Sequence, residues 1–267
     1  MSVTEKITPR SEGPDFVGVG VQKSGTTWIG DVLSQHPQIF FSPKKEISFF
    51  TRRFHKGYRW YHDIFREKKD RLAGEISVNY LYAPRSNSTH KEYYPNWNPR
   101  RQVLFWRKMP SARNQLKYNY PGLKIFAMFR NPVDRAWSHY WFWRSRKERL
   151  GKRFVSFERI FAEDGRWIQL QGNFADHLAY WREAFPEMGV FFYDDLVKDP
   201  LGLARTVYRF LGVDDTFEPI LTRRFKTGNY ETMSVETRKW LVDNYRDQIL
   251  LFAEMTGRDL SHWLEVG

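Results

Sequence analysis

Apolar positions in this chain fall into short unbroken runs separated by amphipathic stretches. Phe16 to Val21 (F-V-G-V-G-V) is apolar and valine-rich, the pattern of a strand buried on both faces. Thr26 to Ser34 then places Trp28, Ile29, Val32 and Leu33 on one side of a helix. The alternation continues. Strands are predicted at Gln38 to Phe41, Leu72 to Ser77, Leu123 to Phe129 and Gly189 to Tyr193. Helices are predicted at Lys56 to Phe65, Pro132 to Arg144, Phe174 to Phe185, Leu201 to Leu211 and Val235 to Thr256. Pro132 falls near a helix start, where its missing N–H leaves no bond unmade. Strands alternating with helices predict an α/β fold, a mainly parallel sheet with helices on both faces. One domain spanning 1–267 fits this length, and the least regular stretch, about 83–120, reads as an inserted cap.

Composition narrows the chemistry. Hydrophobic residues make up 41% and aromatics 18%, enough for a core and for flat pocket walls. No cysteine is present, which excludes disulfides, thiolate catalysis and cysteine-type zinc sites. Met1 to Asp15 is polar, and no run approaches the roughly 20 apolar residues of a membrane span, so a cytoplasmic chain is expected. The net charge of +12 calls for an anionic partner: nucleic acid, an anionic nucleotide or an acidic glycan. Lys91, Arg100, Arg101, Arg107, Lys108, Arg113 and Lys117 face only Glu92 between positions 91 and 120. That cluster reads either as an acceptor-selecting surface or as a solvated face.

The junction between first strand and first helix, Val21-Gln22-Lys23-Ser24-Gly25-Thr26-Thr27-Trp28, makes the fold P-loop-like. Free backbone N–H groups and the positive dipole end of the helix converge there, and Lys23 adds a full charge. A phosphate-like group suits such a loop; a capped helix beside a solvated lysine is the plainer alternative. In a Walker A loop the lysine directly follows the second glycine, whereas here Lys23 precedes Gly25. This order argues against a P-loop nucleotide kinase.

The order K-S-G-T-T-W instead resembles the 5′-phosphosulfate loop of sulfotransferases that use 3′-phosphoadenosine 5′-phosphosulfate (PAPS). A second segment supports it. The predicted strand Leu123 to Phe129 runs into Arg130-Asn131-Pro132-Val133-Asp134-Arg135-Ala136-Trp137-Ser138, which resembles the 3′-phosphate segment of the same enzymes. Pro43-Lys44-Lys45-Glu46-Ile47-Ser48-Phe49-Phe50, Glu75-Ile76-Ser77-Val78-Asn79-Tyr80 and Phe192-Tyr193-Asp194-Asp195-Leu196 look like the heparan sulfate sulfotransferases and their bacterial relatives. Two departures stand out. Ile76 occupies a position where that branch usually has lysine, and the R-K-G-x-x-G of aryl and steroid sulfotransferases is missing.

The resemblance implies transfer of a sulfuryl group from PAPS to a hydroxyl or amine, on a carbohydrate or a small biosynthetic intermediate, with 3′-phosphoadenosine 5′-phosphate (PAP) as product. It implies that Lys23 stabilises the bridging oxygen, and that Ser24, Gly25, Thr26, Thr27 and Trp28 hold the 5′-phosphate. Arg130 and Ser138 match the 3′-phosphate ligands, and Lys226 with Gly228 a further donor-binding loop, unless 226–229 is an ordinary turn. No metal is required. Glu46 is the candidate general base, or else a surface glutamate paired with Lys44 or Lys45; His139 is its rival. A basic nucleic-acid-binding module remains an alternative supported by net charge alone.

Overall fold

A computed structural model describes residues 12–82, 111–151, 156–161, 166–221 and 231–266, the side chains of 166 and 167 apart. Its five strands are β1 (Phe16–Gly20), β2 (Ile39–Phe41), β3 (Leu72–Ile76), β4 (Lys124–Phe129) and β5 (Gly189–Phe192). They form one sheet in the order β2-β3-β1-β4-β5, and every pairing is parallel. Both faces are covered. Phe16, Phe126 and Met128 pack with Trp28, Ile29 and Val32 of helix α1 (Thr26–Gln35) and with Leu203 and Val207 of the Pro200–Leu211 helix. Val17, Val19, Ile125, Ala127 and Phe129 pack on the opposite side with residues of the Pro132–Glu148, Phe174–Arg182 and Val235–Thr256 helices. This double burial is why the strands are apolar without a gap.

Observed boundaries differ from expectation where local chemistry intervenes. The stretch expected as one helix from Lys56 to Phe65 divides at Gly57 (φ 76°) into a 3₁₀ turn, Phe54–Lys56, and a helix, Gly57–Asp63. Tyr193, read as the end of a strand, opens a short helix, Tyr193–Lys198. Of the stretch 83–120, residues 83–110 lie outside the described residues. Its end holds a helix, Ala112–Asn119, whose Ala112 and Leu116 are buried in the core. Tyr58 donates to Gln115 (2.8 Å) and accepts from the Asn119 amide (2.8 Å), fixing that helix against the domain. Arg113, counted in the basic run, is engaged in the fold: it pairs with Glu183 at 2.7 Å and lies over the Tyr180 ring at 3.7 Å. Arg100, Arg101 and Arg107 lie outside the described residues.

Much of the aromatic content packs between β3 and this helix. Phe49 and Tyr61 stack with centroids 4.5 Å apart, and Phe50, Tyr80 and Tyr120 contact Phe50 or Tyr61 edge-on. Burying each such ring stabilises the fold by roughly 1.5–3 kcal/mol. Phe49 and Phe50 belong to the segment that carries Glu46, so their burial ties that segment to the core.

Candidate active site

In an all-parallel sheet the carboxyl ends of all strands share one edge, where open α/β sheets hold ligands. Three adjacent strands bring a candidate residue there: Lys23 follows β1, Arg130 follows β4, and Val78, which holds Glu46, follows β3. The backbone fixes them. Val21 N–H donates to Met128 of β4 (2.9 Å), and Ser77 and Leu81 donate to Gly18 and Val19 of β1 (both 2.9 Å).

The loop after β1 turns sharply. Lys23 (φ 72°) and Gly25 (φ 89°) both sit in the left-handed region. A Cβ on Gly25 would lie 2.9 Å from Leu196 and Met128 carbons, so only glycine fits. Having no side chain, Gly25 cannot cap α1, whose first N–H groups therefore face the loop. The Ser24 hydroxyl is buried and has no hydrogen-bond partner among the described residues. Buried hydroxyls are normally satisfied, so this orphan points to a missing acceptor or donor in the loop.

Cations converge on the same place. Burial lowers the Lys23 pKa, and the charges of Arg130 and Lys45 lower it further. Arg130 reaches the Lys23 carbonyl with one guanidinium nitrogen (3.4 Å) and lies over the Tyr193 ring at 4.7 Å. Ser138 is buried on the Pro132–Glu148 helix. Four residues on, Phe142 meets the Lys23 ammonium, centroid 5.2 Å away. Because i and i+4 share a helix face, Ser138 lies on the side that reaches Lys23. Trp28 faces inward, into the apolar cluster under β1 and β4. Lys226 and Gly228 lie outside the described residues.

Glu46 sits half-buried opposite this group. Its Oε2 accepts from Val78 N–H at 3.1 Å, and its carbonyl accepts from Arg53 at 2.9 Å. It forms no pair with its neighbours: Lys44 lies over Trp60 (4.9 Å), and Lys45 donates to Thr27 Oγ1 (2.8 Å). Loss of solvent raises its pKa, opposed by the Val78 N–H and by Lys45 and Arg52. Glu46 (φ 52°) and Ser48 (φ 50°) are both left-handed, a conformation that costs such residues of order 1–3 kcal/mol each. A hydrogen-bond chain holds it. Ser48 N–H donates to Ser77 Oγ (2.8 Å), Ser77 donates to Glu75 (2.6 Å), and Ser48 Oγ donates to Asn79 (3.1 Å). Glu75 is fully buried, accepting also from Tyr61 (2.9 Å) and Tyr80 (3.1 Å), and burial pushes its pKa to about 7.

The rival base is corrected. His139 is fully buried, its Nε2 accepts from the Trp143 indole (2.8 Å), and burial holds its pKa well below the usual value. An imidazole enclosed in this way cannot reach an acceptor. His36, His62, His177 and His262 each hydrogen-bond within the fold, to Asp214, Tyr120, Leu170 and Asp194. Sequence reasoning missed Lys45 and Glu75 as members of this region; the written signals were the doubled lysine before Glu46 and the E-I-S-V-N-Y segment that begins within β3.

With the geometry in place, the chain can be set against known proteins. A family model described as "Sulfotransferase domain" matches residues 13–249. Human bifunctional heparan sulfate N-deacetylase/N-sulfotransferase 3 is 27% identical over 94% of this chain, which spans 31% of that protein. Heparan sulfate glucosamine 3-O-sulfotransferase 3B1 of Mus musculus is 27% identical over 92% of the chain, which spans 64% of it. A solved sulfotransferase from Alicyclobacillus acidocaldarius has a TM-score of 0.72 and 26% identity, covering 94% of this chain and 99% of that one. The match sets aside the nucleotide kinase that a lysine-bearing loop would otherwise allow. The order of Lys23 and Gly25, the arginine after β4 and the all-parallel sheet therefore have one explanation: the chain belongs to the sulfotransferase domain family.

Proposed function

We propose that the chain binds PAPS across the carboxyl ends of β1 and β4 and directs its sulfuryl group to a hydroxyl or amine held near Glu46. The observation that carries this reading is the meeting of two mutually repelling cations, Lys23 and Arg130, at an uncapped helix N-terminus beside the orphaned Ser24 hydroxyl. Such an arrangement is unfavourable until an anion enters, and a 5′-phosphate fits it in charge and in hydrogen-bonding capacity. The N–H groups and hydroxyls of Ser24 to Thr27 would hold that phosphate, with Trp28 anchoring the loop from below. Arg130 and Ser138 would take the 3′-phosphate, and Lys226 with Gly228 belong to the same reading.

Bound donor supplies an activated sulfuryl group on a phosphate leaving group. Lys23 neutralises charge that develops on the bridging oxygen, an electrostatic role favoured where transition states are loose. Glu46, its basicity raised by burial, accepts the proton of the acceptor. Among the described residues no group of acidic and histidine side chains is arranged to hold a metal ion, and none of these steps calls for one. The acceptor class is a carbohydrate or a small biosynthetic intermediate, by analogy with the glycan-sulfating relatives.

Retention on immobilised PAP, competed by free PAP but not by ATP or DNA, tests this reading against nucleotide-kinase and nucleic-acid alternatives. Arg130→Ala should weaken PAP about tenfold or more, since a charge-assisted bond contributes roughly 1.5–3 kcal/mol. Calorimetry showing unchanged PAP affinity in the folded variant would remove Arg130 from the donor site.

A further inference from the structure

Lys45 has no part in the residues assigned so far. It is exposed, precedes Glu46 directly, and lies in a segment without regular structure. A lysine so placed gains most rotamer freedom by pointing into solvent, away from other cations. It does the opposite. Its Nζ donates to Thr27 Oγ1 on the first turn of α1 at 2.8 Å. Its charge is felt by Lys23, whose pKa it lowers, and by Glu46, whose pKa it also lowers. One ammonium thus adjoins both the anion loop and the carboxylate. Ile76, at the carboxyl end of β3, brings no charge of its own: it is 6% exposed and packed with Trp28, Ile29 and Phe126.

On the function proposed above, a group passing from a phosphate on the loop to a nucleophile at Glu46 comes within reach of this ammonium. Resting on the donor reading above, we propose that Lys45 is a further catalytic residue, which hydrogen-bonds the sulfuryl oxygens in transit and not the nucleotide phosphates. The sulfur–oxygen bond to the bridging oxygen breaks, its electron pair leaving with PAP, while sulfur bonds the acceptor atom. The acceptor proton goes to Glu46, and Lys45 keeps its own proton throughout. In a loose transfer the equatorial oxygens carry charge that a compact ammonium, with three rotatable donors, can follow.

PAP lacks the sulfuryl group, so binding and turnover separate the two roles of a cation here. Lys45→Met, exposed and apolar-tolerant, should bind PAP in calorimetry within about threefold of the unaltered chain. Its release of PAP from saturating PAPS, with water or a phenol as acceptor, should fall roughly 10²-fold, the effect of removing one preorganised donor from a developing charge. Lys45→Arg should recover part of that rate. PAP affinity falling in parallel with the rate would make Lys45 a phosphate ligand and overturn the assignment, as would an unchanged rate. Failure of the unaltered chain to bind PAP at all would instead take down the donor reading, and this assignment with it.

Discussion

Glu46→Gln should lower kcat roughly 10²- to 10⁴-fold while PAP affinity stays unchanged. The amide oxygen of glutamine can keep the bond that Glu46 Oε2 accepts from Val78 N–H, so the left-handed turn at 46–48 should persist. Only the basic electron pair is lost. Because burial raises the Glu46 pKa, the carboxylate is a better proton acceptor than a surface glutamate, and it must be ionised to act. Activity should therefore rise with pH through a value above the ordinary glutamate range, and this rising limb should vanish in the variant. The loss should be smallest for an acidic phenol, whose nucleophile is already partly ionised. Near-normal turnover of an alkyl alcohol would exclude Glu46 as the base, and the burial of His139 means that no imidazole on that helix is placed to take over.

Glu75 should make stability fall as pH rises through the weakly acidic range. Its carboxyl is fully buried, and its pKa moves from 4.5 to about 7 on folding because ionisation there means losing solvent. Between those values the folded chain holds a proton that the unfolded chain has released. The stabilisation is complete below about 4.5 and is lost as pH climbs through about 7; the gap corresponds to about 3 kcal/mol. Glu75→Gln should flatten this slope. Its amide oxygen can still accept from Tyr61 and Tyr80, although Ser77 must turn its hydrogen away. Urea unfolding at about pH 5 and pH 7 measures the difference. An equal slope in both proteins would place the titrating proton elsewhere. The same proton matters to the site, since an ionised Glu75 would push the Glu46 pKa up further through like-charge repulsion.

Legibility in the sequence followed burial. A strand covered on both faces has no polar alternation to lose, so β1 and β4 stand out as apolar runs and each motif beginning at their ends falls at the working edge of the sheet. Val235–Thr256 is equally plain, opened by a Ser234 cap and closed by Gly257 in the left-handed region. The Ala112–Asn119 helix was hidden because most of its residues are polar, and its place is fixed by Tyr58, far away in sequence. The proposed roles of Lys23, Glu46, Arg130 and Ser138 rest on short motifs, and the fold brings Lys23 and Arg130 together at the end of β1. Lys45 could not be read from such a motif, because its contact with Thr27 depends on the path of a loop pinned by Ser48 and Ser77. Nor could Glu75, since an acid after a short apolar run looks the same whether it faces water or a ring of hydroxyls.

The pairing of β1 with β3 and β4 also limits how the loop after β1 can be used by an engineer. Its shape is borrowed from residues far along the chain, Met128 against Val21 and Leu81 against Val19, and from Leu196 and Met128 crowding Gly25. Closing those distant segments costs chain entropy before any loop geometry exists. A peptide carrying K-S-G-T-T-W alone, or the same letters grafted after an unrelated strand, lacks these neighbours and has no reason to present its amides to a phosphate. The unit that shapes this loop is β3, β1 and β4 with the Tyr193–Lys198 helix that carries Leu196, and any transplant aimed at the proposed donor binding has to carry them together.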